Sequence, residues 1–512
     1  MGFRFSRFWW LACLMAACLV VPGPLWAQPP AKDGDMLPAP RVLDSAPTAG
    51  LLETPATPID LPSALRLAGV QNPEILLALQ RVEEAVAYRQ LAAAQLLPSA
   101  NAGTSVNTHE GPLQASTGQI IEVNRGSMYL GLGAFAVGAG TVNIPGLVWT
   151  GNVSDVIYAN LVSRERVRQQ QFASQAVRND ILVRVADAYL ELARAEGRLA
   201  IAVKNESEAA EVARVTAEFA SKKGGLAKQS DADRAATELN QRRTDLLEAE
   251  GALQTASARL AQVLSVDPAS RLQTADAFAV PRTLVPDPIS LPELLAMALA
   301  QRPELRERQA AIRAALLELD GAKFLPFSPN LILGYSAGSF GGGSNLVAQG
   351  IPQANGSTLQ QSRFGSFAGR QDVDTVVYWS LRNLGIGNLA LIRLARTNVR
   401  SEELRQIEVL DRIRTEVAVA QARSRARFAQ IATSEQAVKS SESCFKADVE
   451  RTRFGVGLPI EVIDSLRLLG RSRYAYLDAI IDYNRAQFEL YGALGQPPAD
   501  FLARPIVPAQ GP

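Results

Sequence analysis

One stretch of the sequence occurs twice, first as Ile59-Asp-Leu-Pro-Ser-Ala-Leu-Arg-Leu-Ala-Gly-Val-Gln-Asn-Pro-Glu-Ile75 and, 230 residues later, as Ile289-Ser-Leu-Pro-Glu-Leu-Leu-Ala-Met-Ala-Leu-Ala-Gln-Arg-Pro-Glu-Leu305. The two copies align without a gap and share the same Leu-Pro and Pro-Glu pairs. A repeat of this length is too large for one unit of a solenoid. The sequence therefore predicts an internally duplicated chain with two similar halves.

Composition argues against several classes of protein. The chain has 512 residues and a net charge of +1, so no overall basic charge favours binding of nucleic acid. It has one histidine and three cysteines, which disfavours a disulfide framework, a zinc site and a His-based catalytic triad. We therefore predict no enzymatic activity, no cofactor and no metal site. His109 is expected in an external loop, and Cys444 is expected to pack as a small apolar side chain.

The first residues have the layout of a secretory signal peptide. Two arginines precede an apolar run, residues 8–21, which ends in prolines and is short for a membrane-spanning helix. We predict a signal peptide at 1–27 and an extended, Pro- and Ala-rich leader at 28–58. An alternative is a lipoprotein signal that ends at Cys18, which would then be lipidated. In either case the sequence predicts export.

Each half continues with a predicted pair of strands. Period-two alternation with many small residues, as in residues 128–137, predicts a hairpin within 99–153 around a polar loop at roughly 107–126. The second half predicts another hairpin within 329–382. Transmembrane barrels begin at eight strands, so several chains would have to combine their strands to close one.

Very long helices are predicted after each strand pair. Apolar side chains step by four and three from Ile181 to Ala202, and alanine at several of these positions allows close helix packing. The pattern predicts helical hairpins over about 156–265 and about 388–495. The predicted organisation is a first repeat at 59–268, a second repeat at 289–498 and a tail at 499–512.

The doubled order of these features resembles the TolC-like outer-membrane factor family over about 57–500. The openings, the Leu-Pro pairs before strands and the helix breaks carry the resemblance, as do Trp379-Ser-Leu-Arg-Asn-Leu-Gly-Ile-Gly387 and Val153-Ser-Asp-Val-Ile-Tyr158, which are similar to the family's strand-to-helix transitions. The resemblance implies a mixed α/β membrane protein that forms a homotrimer. Each chain would give four β-strands to a twelve-stranded outer-membrane β-barrel and long, coiled-coil-like helices to a periplasmic α-barrel.

The same resemblance implies a passive exit duct. It would lie among outer-membrane lipid, extend into the periplasm and conduct small molecules that an inner-membrane pump delivers through a periplasmic adaptor. A duct for type I protein secretion is an alternative that the residues do not separate from efflux. A further alternative is an exported coiled-coil structural protein without conduction, although such rods lack Gly-rich strand hairpins between their helices.

The family closes its periplasmic end with acidic residues, and the resemblance assigns this gate to Glu461 and Asp464. In a trimer these side chains would form stacked carboxylate rings that attract cations and repel one another as the aperture narrows. The alternative is two solvated carboxylates on an ordinary helix. In the first half Asp231 aligns with Glu461, whereas Arg234 replaces the second acid.

The helix breaks would be the tips that face the inner membrane and meet the adaptor. Arg451 and Arg453 lie beside the second tip and could pair with the adaptor or with Asp464 of a neighbouring chain, although surface arginines often contribute little. The predicted tip residues are Gly224, Gly225 and Leu226 in the first half, and Gly455, Gly457 and Leu458 in the second.

Overall fold

The computed structural model describes residues 56–136, 140–221, 228–275, 280–287, 289–344, 351–352, 358–359, 367–454 and 456–496. Several predicted features lie outside these residues. They are the signal peptide with Cys18, nearly all of the leader, the first-half tip at Gly224, Gly225 and Leu226, Gly455 of the second tip, and the tail.

The α-helices of the described residues form two series of nearly equal lengths. The helix pair that opens each half has 11 and 22 residues, the long helix has 69 or 68, and the return helix has 36 or 35. At 1.5 Å per residue each long helix is about 100 Å long. These matching lengths confirm the internal duplication. The helices are α1 (Leu61–Gln71), α2 (Pro73–Ala94), α3 (Val153–Ser221), α4 (Gln229–Leu264), α5 (Leu291–Gln301), α6 (Pro303–Phe324), α7 (Ile386–Arg453) and α8 (Pro459–Ala493).

The capping residues and prolines of the repeated stretch set where the helices end and begin. The side chain of Asp60 accepts a hydrogen bond from Ser63 N at 3.1 Å and caps α1. Asn72 separates α1 from α2, and its Oδ1 accepts from Glu74 N at 2.9 Å. Its Nδ2 donates to the Val263 carbonyl at 2.8 Å, which fixes the start of α2 against the end of α4. The local caps therefore also set tertiary contacts.

One antiparallel sheet joins the strands of both halves. Its first strand line consists of β2 and β3, its second of β4 and β6, its third of β8 and its fourth of β11, in this spatial order, and the short β5 pairs antiparallel with the end of β4. Separately, β1 pairs with β7 in parallel and β9 pairs with β10. The strands are β1 (Thr57–Ile59), β2 (Ser99–Ala100), β3 (Ala102–Gln114), β4 (Ile120–Ala134), β5 (Ile144–Pro145), β6 (Leu147–Asn152), β7 (Leu272–Thr274), β8 (Asn330–Ser344), β9 (Ile351–Pro352), β10 (Thr358–Leu359) and β11 (Ala368–Tyr378).

The polar loop expected at 107–126 is wrong. Strands β3 and β4 pair continuously out to Gln114 and Ile120, which leaves only residues 115–119 as the turn. Exposure alternates residue by residue along β3. Polarity here therefore marks a solvated strand and not a loop, because every second side chain of a strand points to the same face.

Two single-residue expectations are also wrong. His109 lies within β3, directly opposite Arg125 of β4, because the strand extends through the segment expected to be a loop. Cys444 is exposed on α7, with its Sγ 3.6 Å from Asp448 Oδ2. Its place in the helix faces solvent, so it does not pack as an apolar side chain.

The largest buried core lies where the short opening helices meet the long ones. Leu61 of α1, Leu260 of α4 and Tyr491 of α8 are each 1% exposed or less and belong to one cluster. On α3, Ile181 and Leu192 of the predicted seam are fully buried in the same cluster, which confirms that the seam is a packing face. Within the described residues, no helix combines the length and the apolar character needed to cross a membrane.

Candidate functional site

The second-half tip is a tight turn between α7 and α8. The backbone N–H groups of Val456 and Gly457 both donate to the Arg451 carbonyl at 3.0 Å. A Cβ on Gly457 would lie 2.9 Å from Thr452 Oγ1 and 3.0 Å from its backbone nitrogen, so any side chain here would force the turn apart. Glycine at this position therefore lets the two long helices reverse direction.

Glu461 is the third residue of α8 and has local partners. Its carboxylate accepts a long hydrogen bond, 3.4 Å, from the Leu458 N–H before the helix, and Arg451 Nη1 lies 3.6 Å from it. A carboxylate in the first turn also interacts favourably with the positive end of the helix dipole. Glu461 therefore stabilises the start of α8, and its side chain is 40% exposed.

Asp464 lies one turn further along α8 and is the more exposed of the two acids. Its side chain is 65% exposed, and its Oδ1 lies 3.5 Å from Arg467 Nη1. A carboxylate with so much contact with solvent is available to a neighbouring chain or to a passing ion. Asp464 is therefore the more accessible of the two acids.

The first-half tip repeats the capping geometry of Glu461. Asp231 is the third residue of α4, accepts from the Lys228 N–H at 3.4 Å and lies 3.4 Å from Arg234 Nη1. The alignment of Asp231 with Glu461 therefore reflects an equivalent helix start. The cationic Arg234 stands where the second half has Asp464, so the two tips carry different charges.

The two arginines beside the second tip contact acids of the same chain. Arg451 lies near Asp448 and Glu461, and Arg453 Nη2 lies 3.7 Å from Glu211 Oε1 on α3. The pKa of Glu211 is lowered, chiefly by the hydrogen bond from Arg214, and Arg453 adds to this effect. The contact of Arg453 ties the end of α7 to α3, and that of Arg451 with Glu461 ties it to α8.

Comparison with known proteins gives the fold a precedent. No protein-family model matches the chain. It is 34% identical over 150 residues to protein CyaE of Bordetella pertussis, a match that covers 29% of this chain and 30% of that relative's length.

Solved structures match far more of the chain. The outer-membrane channel OprN matches with a TM-score of 0.68 and 19% identity, over 85% of this chain and 89% of OprN. The CmeC outer membrane channel of Campylobacter jejuni matches with a TM-score of 0.66 and 16% identity, over 85% of both chains. The chain has the TolC-like outer-membrane channel fold. The resemblance read from the sequence is thereby confirmed at the level of fold.

Within this channel fold, the second tip adds two exposed apolar residues, Phe454 and Val456, to the predicted Leu458. Phe454, Val456 and Leu458 are 83%, 75% and 61% exposed, so the second tip presents apolar side chains to its surroundings. Their signal in the sequence was a run of apolar residues interleaved with turn glycines. Such an exposed apolar tip is suited to contact with another protein.

A buried acid behind the tip was also missed. Glu238 of α4 is 4% exposed and accepts hydrogen bonds from Arg242 Nε at 2.9 Å and from Arg467 Nε of α8 at 2.7 Å. Arg467 therefore bridges Glu238 and Asp464, and it links the two helical hairpins of the channel fold. Among the described residues, no group of three or more His, Cys, Asp or Glu side chains is placed to hold a metal.

Proposed function

We propose that three copies of this chain form a passive outer-membrane exit duct. The main observation behind this proposal is a sheet of four strand lines, with one apolar and one polar face, that is joined to helices about 100 Å long. This architecture is shared with the outer-membrane channels named above. Energy would come from an inner-membrane pump, and the duct itself would carry out no covalent chemistry.

Strand register supports a lipid-facing surface on the sheet. Directly opposed residues of antiparallel strands point to the same face. One face carries exposed apolar side chains, with Leu130 at 57%, Val373 at 74% and Val377 at 49%. The register assigns to this face Leu130, Leu132, Leu147, Trp149, Leu331, Leu333, Val373 and Val377. The opposite face carries Ser105, His109, Arg125, Ser127, Ser336, Arg370 and Asp372, and its apolar side chains Ile332 and Val376 lie near the end of the sheet that joins the helices.

The edges of the sheet support assembly from several chains. Among the described residues, β3 pairs only with β4 and β11 pairs only with β8, so each leaves one edge unpaired. Unpaired backbone groups cannot remain in a bilayer, since no water is present there to satisfy them. Pairing β11 of one copy with β3 of the next gives a closed twelve-stranded barrel from three copies.

Aromatic residues at the junction of sheet and helices support a membrane boundary there. Trp149 Nε1 donates to the Gln95 carbonyl at 2.7 Å, and Trp379 Nε1 donates to the Phe327 carbonyl at 3.2 Å. Trp379 and Phe327 are 61% and 79% exposed. Indole rings near the ends of the strands that lead into the helices match the aromatic girdles that flank the lipid-facing band of membrane barrels.

We place both the gate and the contact with the periplasmic adaptor at the tips. Asp464, with Glu461 behind it, would form the acidic constriction, and the exposed apolar residues Phe454, Val456 and Leu458 would meet a periplasmic adaptor. Substrates would be small molecules handed over by an inner-membrane pump. Carboxylate rings would make the resting current small and cation-selective.

Planar-bilayer recording of detergent-purified protein tests the duct. We expect discrete, small, cation-selective currents from a species that cross-links as a trimer. Glu461→Ala/Asp464→Ala should raise conductance and reduce cation selectivity. The matched control Glu435→Ala/Glu442→Ala removes two half-exposed acids further back along α7 and should leave conductance and selectivity unchanged.

Three outcomes separate the parts of this proposal. Insertion with wild-type currents in the Glu461→Ala/Asp464→Ala variant would place the gate elsewhere and keep the duct. Folded trimers that never insert or conduct would overturn the duct. In a host strain that lacks the protein, retention of small dyes should rise. If that strain instead fails to secrete a protein and does not retain dyes, the result would favour protein secretion over efflux.

A further inference from the structure

A long insertion interrupts the second strand line of the sheet. Leu132 of β4 lies opposite Ala337 of β8, and Leu147 of β6 lies opposite Tyr335. A regular strand would need one residue between Leu132 and Leu147, opposite Ser336. The sequence has fourteen there, residues 133–146. The strand expected to run through residue 137 thus ends at Ala134.

Neighbouring strands hold the two ends of this insertion together. On one side, Gly133 N donates to the Asn101 carbonyl at 2.9 Å, and Asn101 N donates to the Gly146 carbonyl at 2.6 Å. On the other side, Gly146 N donates to Ser336 Oγ at 3.2 Å. The insertion therefore leaves and re-enters the strand at nearly one point, as a compact loop does.

Glycine makes this narrow neck possible. Gly133 has φ +102°, and a Cβ there would lie 2.6 Å from the Ile144 carbonyl oxygen. A Cβ on Gly146 would lie 2.6 Å from the backbone of Leu132. The two glycines let the backbone of both ends come into contact.

The described ends of the insertion, residues 133–136 and 140–146, pack on the polar face of the sheet. Ala136 N donates to Ser105 Oγ at 3.3 Å, and Ser105 is on that face. Ala136 and Val142 cluster with Tyr129, which is fully buried, and with Phe340. The insertion thus covers a residue that would otherwise face the bore.

Arg370 of β11 fastens the insertion to the fourth strand line. Its Nη2 donates to the Gly140 carbonyl, and its Nε donates to Asp372 Oδ2 at 2.9 Å. The guanidinium carbon also lies 4.9 Å from the centre of the Phe340 ring, in cation–π range. Because Asp372 neutralises Arg370, this attachment brings little net charge to the bore.

We propose that residues 133–136 and 140–146 form a second constriction inside the sheet region of the duct, held in place by Arg370. The proposal rests on the proposed function, since the polar face is the bore only if the apolar face meets lipid. In a trimer three such insertions enter the bore at one level. The constriction selects solutes by size, whereas the acidic tips select by charge.

Deleting residues 134–146 tests the constriction directly. The deletion leaves Gly133 opposite Ser336 and keeps Leu132 and Leu147 on the apolar face, so the strand becomes regular. We expect conductance to rise about two-fold or more, because a pore's narrowest section sets its resistance. Neutral polymers that wild-type protein excludes when added from the sheet side should enter the bore. Polymers added from the helix side should behave as before.

A second variant tests the same constriction in case the deletion variant does not fold. Arg370→Ala/Asp372→Ala removes the attachment without changing net charge and should give a smaller shift in the same direction. Asn107→Ala removes another polar side chain from the same face and should change nothing. All variants are compared in the Glu461→Ala/Asp464→Ala background, so that current limited at the tips does not conceal the effect.

The outcomes distinguish this inference from the duct itself. The second constriction would be overturned if the deletion and Arg370→Ala/Asp372→Ala both gave the same currents as the parent protein and excluded the same polymers from the sheet side. That result would leave the duct itself unaffected. Absence of current from every variant, including wild type, would overturn the duct and the constriction with it.

Discussion

Removing the carboxylate of Glu238 should loosen the contact between the two helical hairpins behind the tips. The side chain is 4% exposed and joins α4 to α8 through Arg467, 229 residues away in the sequence. Glu238→Ala removes the acceptor for two guanidinium groups. Arg242 retains Asp245, whose Oδ2 lies 2.9 Å from its Nη1, so one cation keeps a partner.

The size of the effect follows from the exposure of the two arginines. A hydrogen bond to a charged group contributes about 1.5–3 kcal/mol. Arg242 is only 15% exposed, so solvent screens its bond to Glu238 little and we assign about 2 kcal/mol to that bond. Arg467 is 50% exposed, and solvent screening reduces its share to about 1 kcal/mol. The total of about 3 kcal/mol agrees with the known cost of removing one member of a buried ion pair.

Hydrogen–deuterium exchange of the detergent-solubilised protein measures this loss of stability around Glu238. A loss of about 3 kcal/mol in opening free energy speeds exchange of the protected amides around Glu238 about a hundredfold. Glu248→Ala, which removes an exposed acid from the same helix, is the control and should leave exchange unchanged. Equal exchange in the two variants would refute the claim that this buried acid holds the hairpins together.

Three further predictions concern stability, measured as unfolding rates in denaturant. Asn72→Ala should cost about 2 kcal/mol, because it loses a helix cap and a bond to α4, while Asn72→Ser keeps a capping hydroxyl and should cost less. Leu260→Ala, at a fully buried site, should cost about 2–5 kcal/mol. Leu247→Ala, at a 59% exposed site, should stay within about 0.5 kcal/mol, and equal costs would contradict the assigned core. The hydrogen bond from Arg184 lowers the pKa of Glu74 below its usual 4.5, so the ion pair stabilises the fold above that pH. The advantage of wild type over Glu74→Gln should fade as the pH falls through the lowered pKa, and a pH-independent difference would argue against the pair.

The elements that could be predicted from sequence are those with local causes. The helix starts in the repeated stretch have such causes, because the caps at Asp60 and Asn72 and the prolines after them act within a few residues of themselves. The seam from Ile181 was visible because its period survives over many turns. Strand ends were less visible: the polar face of β3 and the turn at 115–119 share the same composition.

The sequence by itself determined the duplication, the long helices and the break before Gly457, since repetition, heptad spacing and glycine breaks are properties of the chain alone. Only the tertiary structure decided that Glu238 is buried with a cation 229 residues away, and that residues 133–136 and 140–146 leave the strand to pack on its polar face. Both depend on which distant strand or helix lies beside each residue. In the sequence, Glu238 cannot be told from a solvated helical acid, and the Gly-rich insertion cannot be told from a continuing strand. The neighbouring helix and strands are what distinguish them.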